Sequence, residues 1–277
     1  RGLGDVYKRQ YQNSILKDSS RNSFMIKRME DLADRTVWAM GEQLKCGDFV
    51  PFVFEHKFNM EVGDGDRKQL MSGTIDRVDI CENGTDVYVR IIDYKTGKKD
   101  FNIVKTYYGI DIQLMVYMEA AMKLVAKMRP GKNVIPAGVF YYNISDPIVS
   151  ATTESAEEIE DKIKGELRLK GMVNSDKDIA EKMDNTEGTS LNIPVSRKAD
   201  GGFDSRRSKV MNTEQFNILG RFVDVRAIDT ADRIAGGDIR RSPYKDGQFS
   251  SCDRCPYGAV CGFSVDLPGC NYRKLKK

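Results

Sequence analysis

Two aspartates and a lysine occur in segments whose apolar residues are typical of β-strands. The segment I-I-D-Y-K-T-G carries Asp93 and Lys95, and the segment G-T-I-D-R-V-D carries Asp76. Side chains two positions apart share a face of a strand, so Asp93 and Lys95 point the same way and Tyr94 points away. Carboxylate oxygens are the ligands that Mg²⁺ and Mn²⁺ prefer. If the two segments pair, this pattern predicts a divalent-metal site beside a lysine.

The residues between these segments, C-E-N-G-T-D, predict a β-hairpin. Both Asn83 and Gly84 tolerate positive φ, which tight hairpin turns require. A turn centred on these two residues pairs Asp76 with Ile91. In that register Asp76 lies on the same face as Asp93, as a diagonal neighbour about 7–8 Å away or less.

The alternative is a surface hairpin whose charges simply face water. Two observations count against it. The strand that carries Asp93 is apolar on both faces over residues 87–92, as interior strands are. The next predicted helix carries Gln113 and Tyr117, which share a face at i and i+4 and could reach the same site.

The second group of chemically informative residues is a cluster of cysteines near the C-terminus. The segment C-D-R-C-P-Y-G-A-V-C holds Cys252, Cys255 and Cys261, and Cys270 follows. Without a signal peptide we expect a reducing compartment, where clustered thiols are more often metal ligands than disulfides. From spacing alone, one interpretation is a zinc knuckle built by all four cysteines.

Composition excludes several classes of protein. The chain has 277 residues, of which 40% are hydrophobic and 31% charged, so it is neither a disordered tail nor a membrane protein. Its single histidine, His56, argues against a histidine-based catalytic triad. The lone T-G-K lacks the upstream glycine of an ATP-binding phosphate loop. Because no signal peptide opens the chain, we expect a cytoplasmic location.

Hydrophobic periodicity predicts the elements that position these residues. The predicted strands are 50–60, 72–80, 87–95 and 137–143. The predicted helices are 23–44, 103–128, 154–170 and 213–235. The region 174–207 is predicted to form loops with a short strand near 191–195.

Several of these motifs together resemble a known family. The segments G-T-I-D-R-V-D, I-I-D-Y-K-T-G and Q-L-M-V-Y resemble the RecB-type branch of the PD-(D/E)XK nuclease superfamily. The segments Y-Y-G-I-D-I-Q-L-M-V-Y-M-E-A-A and P-A-G-V-F-Y-Y-N-I-S-D-P, with the cysteine cluster, are similar to the AddB family of bacterial helicase–nuclease subunits. The resemblance covers residues 49–273.

This resemblance implies an α/β fold with a PD-(D/E)XK nuclease core, in which helices flank a central mixed sheet. It implies a nuclease domain over residues 21–240 and a cysteine-bound segment over 241–277 that closes the domain. Residues 1–20 are predicted to be a disordered or non-native N-terminal segment.

The resemblance also implies roles for the acidic residues and the lysine. Asp76 and Asp93 would bind Mg²⁺ or Mn²⁺, with the backbone carbonyl of Tyr94 as a further ligand. Lys95 would position or activate the attacking water and stabilise charge on the phosphate. Asp79 lies three residues beyond Asp76, so it points to the opposite face, and we do not place it in the site.

Three further residues correspond to the family's motifs. Gln113 and Tyr117 match the motif that follows the acidic strand and would contact DNA or brace the site. Glu55, in F-E-H-K-F, stands where the family often has an acidic strand residue.

For the cysteines, the resemblance implies an iron–sulfur cluster of the 4Fe–4S type instead of zinc. Cys252, Cys255 and Cys261 match its last three ligands. In the family the first ligand lies upstream of the nuclease motifs, and no cysteine here matches it. We favour a missing upstream ligand, with Cys270 as the alternative.

The implied function is a metal-dependent DNA exonuclease domain of an AddAB-type helicase–nuclease, acting in double-strand break repair by homologous recombination. The implied partners are DNA ends, single strands leaving a helicase, and an AddA-like helicase–nuclease subunit. Two alternatives stay open, namely a non-catalytic module that binds DNA ends and a zinc-stabilised scaffold that docks a partner.

Overall fold

The computed structural model describes residues 19–62, 68–150 and 155–275, so the predicted N-terminal segment lies almost wholly outside it. The helices are α1 (Ser20–Lys45), α2 (Ile103–Tyr107), α3 (Gln113–Met128), α4 (Ala156–Glu166), α5 (Lys177–Met183), α6 (Thr213–Ala235) and α7 (Gly258–Cys261). The strands are β1 (Val50–Val62), β2 (Gln69–Asn83), β3 (Asp86–Lys95), β4 (Asn133–Asn143), β5 (Lys170–Asn174), β6 (Val210–Met211), β7 (Tyr244–Asp246), β8 (Phe249–Ser250) and β9 (Arg273–Lys274). None of these helices is long and apolar enough to cross a membrane.

Six strands form one mixed sheet in the order β1-β2-β3-β4-β5-β6. The pairs β1–β2, β2–β3 and β4–β5 are antiparallel, whereas β3–β4 and β5–β6 are parallel. A parallel pair needs a crossover connection, and α3 supplies it between β3 and β4. The predicted α/β fold with a central mixed sheet flanked by helices is confirmed.

The two faces of the sheet bury separate hydrophobic clusters. On one face, which we call the α3 face, residues of β3 such as Ile91 pack with α3 and α6, including Leu114 and Phe216. On the other, the α1 face, residues such as Ile92 and Phe140 pack with α1 and α5. The central strands are therefore covered on both faces, as their continuous apolar sequence predicts.

The hairpin between β2 and β3 is present, but its register differs from the predicted one. Val78 pairs with Ile91, two residues away from the predicted partner Asp76. A shift of two residues leaves every side chain on its face. The paired register ends at Arg77 and Ile92, so Asp76 and Asp93 are the next residues on the two strands.

The reason for the shift is the position of the turn. Asn83 pairs with Asp86, so the two turn residues are Gly84 and Thr85. Gly84 supplies the positive φ, at 60°. Asn83 stays in the strand, where its side-chain amide donates a 3.0 Å hydrogen bond to the Asp178 carboxylate of α5.

The predicted long helix over 103–128 is wrong in one respect, because it is two helices. Gly109 has a φ of 73° and ends α2. The Thr106 hydroxyl donates a 2.9 Å hydrogen bond to the Asp111 carbonyl, which fixes the bend. The break matters because it places the first residue of α3, Gln113, at the end of β3.

Two further predictions are corrected after β4. The helix predicted over 154–170 ends at Glu166, and Lys170 begins β5. The region 191–195 is irregular, since the Ser190 and Asn192 side chains bond to the Asp184 carboxylate instead of forming a ladder.

The C-terminal segment forms a small sheet of its own, in the order β8-β7-β9, and it also contains the short α7. An ion pair between Lys105 of α2 and Asp246 of β7, at 3.2 Å, connects it to the main domain.

Candidate active site

The structure places Asp76 and Asp93 side by side on the α3 face. Asp93 is 2% exposed at the end of β3, and Asp76 is half-buried in β2. The backbone N–H of Tyr94 donates a 2.7 Å hydrogen bond to Asp76 Oδ2. This bond fixes the Asp76 carboxylate against the strand that carries Asp93.

The charge on Asp93 is only partly compensated. Burial raises the pKa of the Asp93 carboxyl, Lys95 opposes this, and the neighbouring Asp76 carboxylate raises the pKa further. Asp93 Oδ2 forms an ion pair with the Lys95 ammonium, yet it is buried and accepts no hydrogen bond of normal geometry from the described residues. Two adjacent carboxylates facing one ammonium leave an excess negative charge that a cation would balance.

The donor set suits a hard divalent cation. Asp76 and Asp93 would supply carboxylate oxygens, and the residue that follows Asp93, Tyr94, would add its backbone carbonyl. Mg²⁺ keeps several waters and is bound through one or two carboxylates. Within the described ranges no three His, Cys, Asp or Glu side chains converge on one point, so the remaining ligands would be water or backbone oxygens.

Tyr141 and its partners form the wall beside Lys95, and the sequence alone did not identify them. Tyr141 of β4 pairs with Asp93, and its ring centroid lies 5.7 Å from Lys95 Nζ and 5.5 Å from Lys99 Nζ. Asp111 accepts a 2.9 Å hydrogen bond from the Tyr141 hydroxyl and pairs with Lys99 at 3.1 Å. Burial and the Asp111 charge raise the pKa of Tyr141, so this hydroxyl stays protonated. The signal available was weak, because Asp111 is marked only by its place two residues before Gln113.

Gln113 and Tyr117 share a face of α3, as their spacing predicts. Gln113 Nε2 donates a 2.9 Å hydrogen bond to the Tyr117 hydroxyl. The Tyr117 ring packs edge-on against Phe58, with 5.8 Å between centroids. A Cβ on Gly73 would lie 2.9 Å from the Phe58 ring, so glycine is needed for this packing. The contact of Gln113 and Tyr117 with DNA stays a prediction.

Glu55 is less well placed than the other site residues. Its neighbours in β1 pair with the neighbours of Asp76 in β2, so it lies across from Asp76 in the sheet. Its side chain is exposed and its φ is 47°, which distorts the strand locally. In the part of the chain that the structure describes, Glu55 does not complete a three-carboxylate cluster with Asp76 and Asp93.

Asp79 lies on the α1 face, within a buried ionic group. Its carboxylate accepts hydrogen bonds from Arg77 at 2.6 and 2.7 Å and from Arg90 at 2.9 Å. The Arg90 guanidinium also lies over the Phe49 ring, 4.9 Å from its centroid. All the ions of this group are almost fully buried, and Asp79 is therefore a structural residue.

The C-terminal cysteines are not gathered around a common point. Cys252 and Cys261 are half-buried, Cys255 is exposed and Cys270 is buried. No three of them form a metal-binding group among the residues described. The geometry therefore does not match a bound cluster or zinc ion as it stands.

Comparisons with known proteins identify the family of this chain. The sequence profile of the PD-(D/E)XK nuclease superfamily matches residues 3–262. The chain is 36% identical over 272 residues to the B subunit of the ATP-dependent helicase/deoxyribonuclease of Clostridium botulinum, a match covering 94% of this chain and 24% of that protein. It is 37% identical over 273 residues to the protein of the same name from Caldanaerobacter subterraneus, covering 95% of this chain and 23% of that protein. The chain thus spans about a quarter of the length of these relatives. The matched profile covers nearly the whole sequence, and the chain therefore belongs to the PD-(D/E)XK nuclease superfamily.

Proposed function

We propose that this chain is a Mg²⁺- or Mn²⁺-dependent deoxyribonuclease domain that hydrolyses DNA phosphodiester bonds as an exonuclease. The observation that carries the proposal is the group formed by Asp76, Asp93 and Lys95 on the α3 face. It combines two adjacent carboxylates, one of them buried and only partly compensated, with an ammonium ion-paired to the buried carboxylate. Hydrolysis by an activated water needs these parts and no covalent nucleophile.

Each residue has a role that follows from its contacts. A bound divalent ion would lower the pKa of a coordinated water and offset charge on the phosphate. Asp76, held by the Tyr94 N–H, and Asp93 would hold that ion. Lys95, kept in place by Asp93 and the Tyr141 ring, would orient the attacking water and stabilise the negative charge developing on the phosphate.

The partners are inferred from the names of the relatives. Because those proteins are called helicase/deoxyribonuclease subunits, we propose that the chain works beside an AddA-like helicase–nuclease subunit in the bacterial cytoplasm. Its substrate would be single strands released at DNA ends during recombinational repair.

For the C-terminal segment, we propose that Cys252, Cys255 and Cys261 bind a 4Fe–4S cluster with a fourth ligand from elsewhere. The support is the C-x₂-C-x₅-C spacing of these three cysteines, whereas Cys270 is buried. Iron analysis after anaerobic purification tests it, with Cys255→Ala expected to lose iron and Cys270→Ala to retain it. Stoichiometric zinc that depends on Cys270 would establish the local four-cysteine site instead.

The nuclease proposal is tested by incubating the chain with linear single-stranded DNA in Mg²⁺ or in EDTA. We expect nucleotide release only with Mg²⁺, and none from Asp93→Asn. Binding of DNA without any cleavage under either condition would favour the non-catalytic DNA-end-binding module.

A further inference from the structure

A row of paired residues extends from the candidate active site across the sheet to Lys170. Asp93 of β3 pairs with Tyr141 of β4, and Tyr141 pairs with Lys170 of β5. Paired residues on neighbouring strands share a face. Lys170 is therefore on the same face of the sheet as the candidate metal-binding carboxylates, two strands away.

The packing of β5 supports this orientation. Met172, two residues beyond Lys170, packs against the core of the α3 face. Gly171, between them, lies against Phe140, which belongs to the core of the α1 face. The alternation along β5 is thus regular, with Lys170 facing α3.

The described residues give Lys170 no direct ion pair, although the charges of Glu166 and Asp100 act to raise its pKa. Lys170 is half-buried, and no carboxylate lies within 4.0 Å of its ammonium in the described part of the chain. Burial and the positive charge of Arg168 lower the pKa of Lys170. Of the acidic residues nearby, Asp100 is paired with Lys209 and Glu166 is exposed.

Lys170 lines an open cavity with the loop that follows β3. The cavity has a volume of about 600 Å³, and its lining also includes Lys98, Lys99 and Asn143 and two carboxylates, Asp100 and Glu166. Asn143 fixes this loop, because its side chain accepts a 3.0 Å hydrogen bond from the Lys99 N–H and donates a 2.9 Å bond to the Lys99 carbonyl. Lys99 is engaged with Asp111. Because Asp100 is paired with Lys209, the ammonium groups of Lys98 and Lys170 face the cavity against one remaining carboxylate, that of Glu166.

We propose that Lys170, assisted by Lys98, forms a binding subsite for a phosphodiester group of the DNA strand beside the scissile phosphate. Two strand spacings separate the backbones of Lys170 and Asp93, which is about 10 Å. At a rise of about 3.4 Å per stacked nucleotide, that distance places the subsite within about three nucleotides of the cleaved bond. The location relative to the scissile phosphate rests on the proposed nuclease function.

The test compares Lys170→Met with Lys198→Met, which removes a lysine charge from an exposed position in the loop that covers the α1 face. Binding of fluorescent single-stranded oligonucleotide is measured by anisotropy in EDTA over a series of salt concentrations. We expect Lys170→Met to bind about 10-fold more weakly and to lower the magnitude of the salt slope by about 0.7, the loss of one phosphate contact. Lys170→Arg should restore the slope, and Lys198→Met should leave both quantities unchanged.

Kinetics with Mg²⁺ give an independent measurement. Lys170→Met should raise KM with little change in kcat, and Lys98→Met, on an exposed loop, should act in the same direction if Lys170→Met does not fold. An unchanged salt slope and affinity in folded Lys170→Met would overturn the subsite. Because the binding experiment needs neither metal nor cleavage, an inactive chain that still shows the slope change would contradict only the nuclease function.

Discussion

The hairpin of β2 and β3 carries an ionic group on each face, and the two groups have opposite composition. On the α1 face two guanidinium groups, Arg77 and Arg90, surround the single carboxylate of Asp79. On the α3 face two carboxylates surround the single ammonium of Lys95. The same two strands thus hold a cationic excess on one side and an anionic excess on the other.

The two groups differ in whether their hydrogen bonds are complete. Both oxygens of Asp79 accept charged hydrogen bonds, and the Arg90 charge is further balanced by the Phe49 ring. Asp93 Oδ2 accepts none of normal geometry from the described residues. Buried ions that saturate one another hold strands together, whereas an unsaturated acceptor is available to a ligand. The comparison predicts that one group controls stability and the other controls chemistry.

The largest expected effect is on the α3 face. Asp93→Asn keeps the size of the side chain and removes the charge that would hold the metal, so we expect nuclease activity to fall by at least about 10³-fold. Lys95→Met should act similarly. The free energy of unfolding of Asp93→Asn, measured by urea denaturation, should change little, because this exchange removes a buried charge that is only partly compensated. A variant with normal activity would show that this pair is not the catalytic group.

The next largest effect is on the α1 face, and it is a loss of stability instead of a loss of activity. Asp79→Ala leaves two buried guanidinium groups without their carboxylate, and we expect unfolding to become easier by about 3–5 kcal/mol. Activity per folded molecule, assayed at a temperature where the variant remains folded, should be retained. If Asp79→Ala were as inactive as Asp93→Asn at matched stability, the assignment of faces would be wrong.

A third prediction concerns the response to metal. A ligand that binds only the folded state stabilises it, by about 2.7 kcal/mol at one hundred times its Kd. Mg²⁺ should therefore raise the unfolding temperature of the wild-type chain relative to EDTA. Asp93→Asn should lose this response, whereas Asp79→Asn, destabilised from the start, should keep it. An equal Mg²⁺ response in wild type and Asp93→Asn would place the ion elsewhere.

The sequence predicted the α3-face group better than it predicted the α1-face group. Alternation along I-I-D-Y-K determines which side chains share a face. The predicted register was wrong by two residues, but side chains alternate with a period of two, so each one stays on its predicted face. The face of Asp79 followed from the same rule. The rule does not predict that two arginines bind the Asp79 carboxylate. Arg90 lies on a different strand, and whether it reaches Asp79 depends on the observed register.

Residues beyond the strand pair were harder to predict for a related reason. The apolar stripe of Ile159, Ile163 and Leu167 predicts a helix that runs to Lys170. Only the sheet shows that Lys170 continues the row of Asp93 and Tyr141. The break at Gly109 was missed because one glycine is tolerated within a helix. Long-range strand order, which the local pattern does not specify, decides which residues lie beside Lys170.

The smallest effect tests whether the two faces are independent. Arg77 belongs to the α1-face group, and its guanidinium also contacts Tyr94. Burial raises the pKa of the Tyr94 hydroxyl, and a hydrogen bond with Arg77 opposes that rise. The N–H of the same Tyr94 holds Asp76 at 2.7 Å on the α3 face. We therefore expect Arg77 to act as a positioning residue that connects the structural group to the candidate metal ligands.

Arg77→Lys keeps the positive charge but loses the paired hydrogen bonds, so we expect an approximately 10-fold loss of activity, as for residues that orient metal ligands. The concentration of Mg²⁺ needed for half-maximal activity should rise, and Tyr94→Phe should give the same shift. Arg90→Lys is the matched control, because Arg90 contacts Asp79 from the next strand without the contact to Tyr94. It should destabilise the fold to a similar extent and leave the Mg²⁺ requirement unchanged. An equal Mg²⁺ shift in both lysine variants would mean that the α1-face group acts on the site only through general stability.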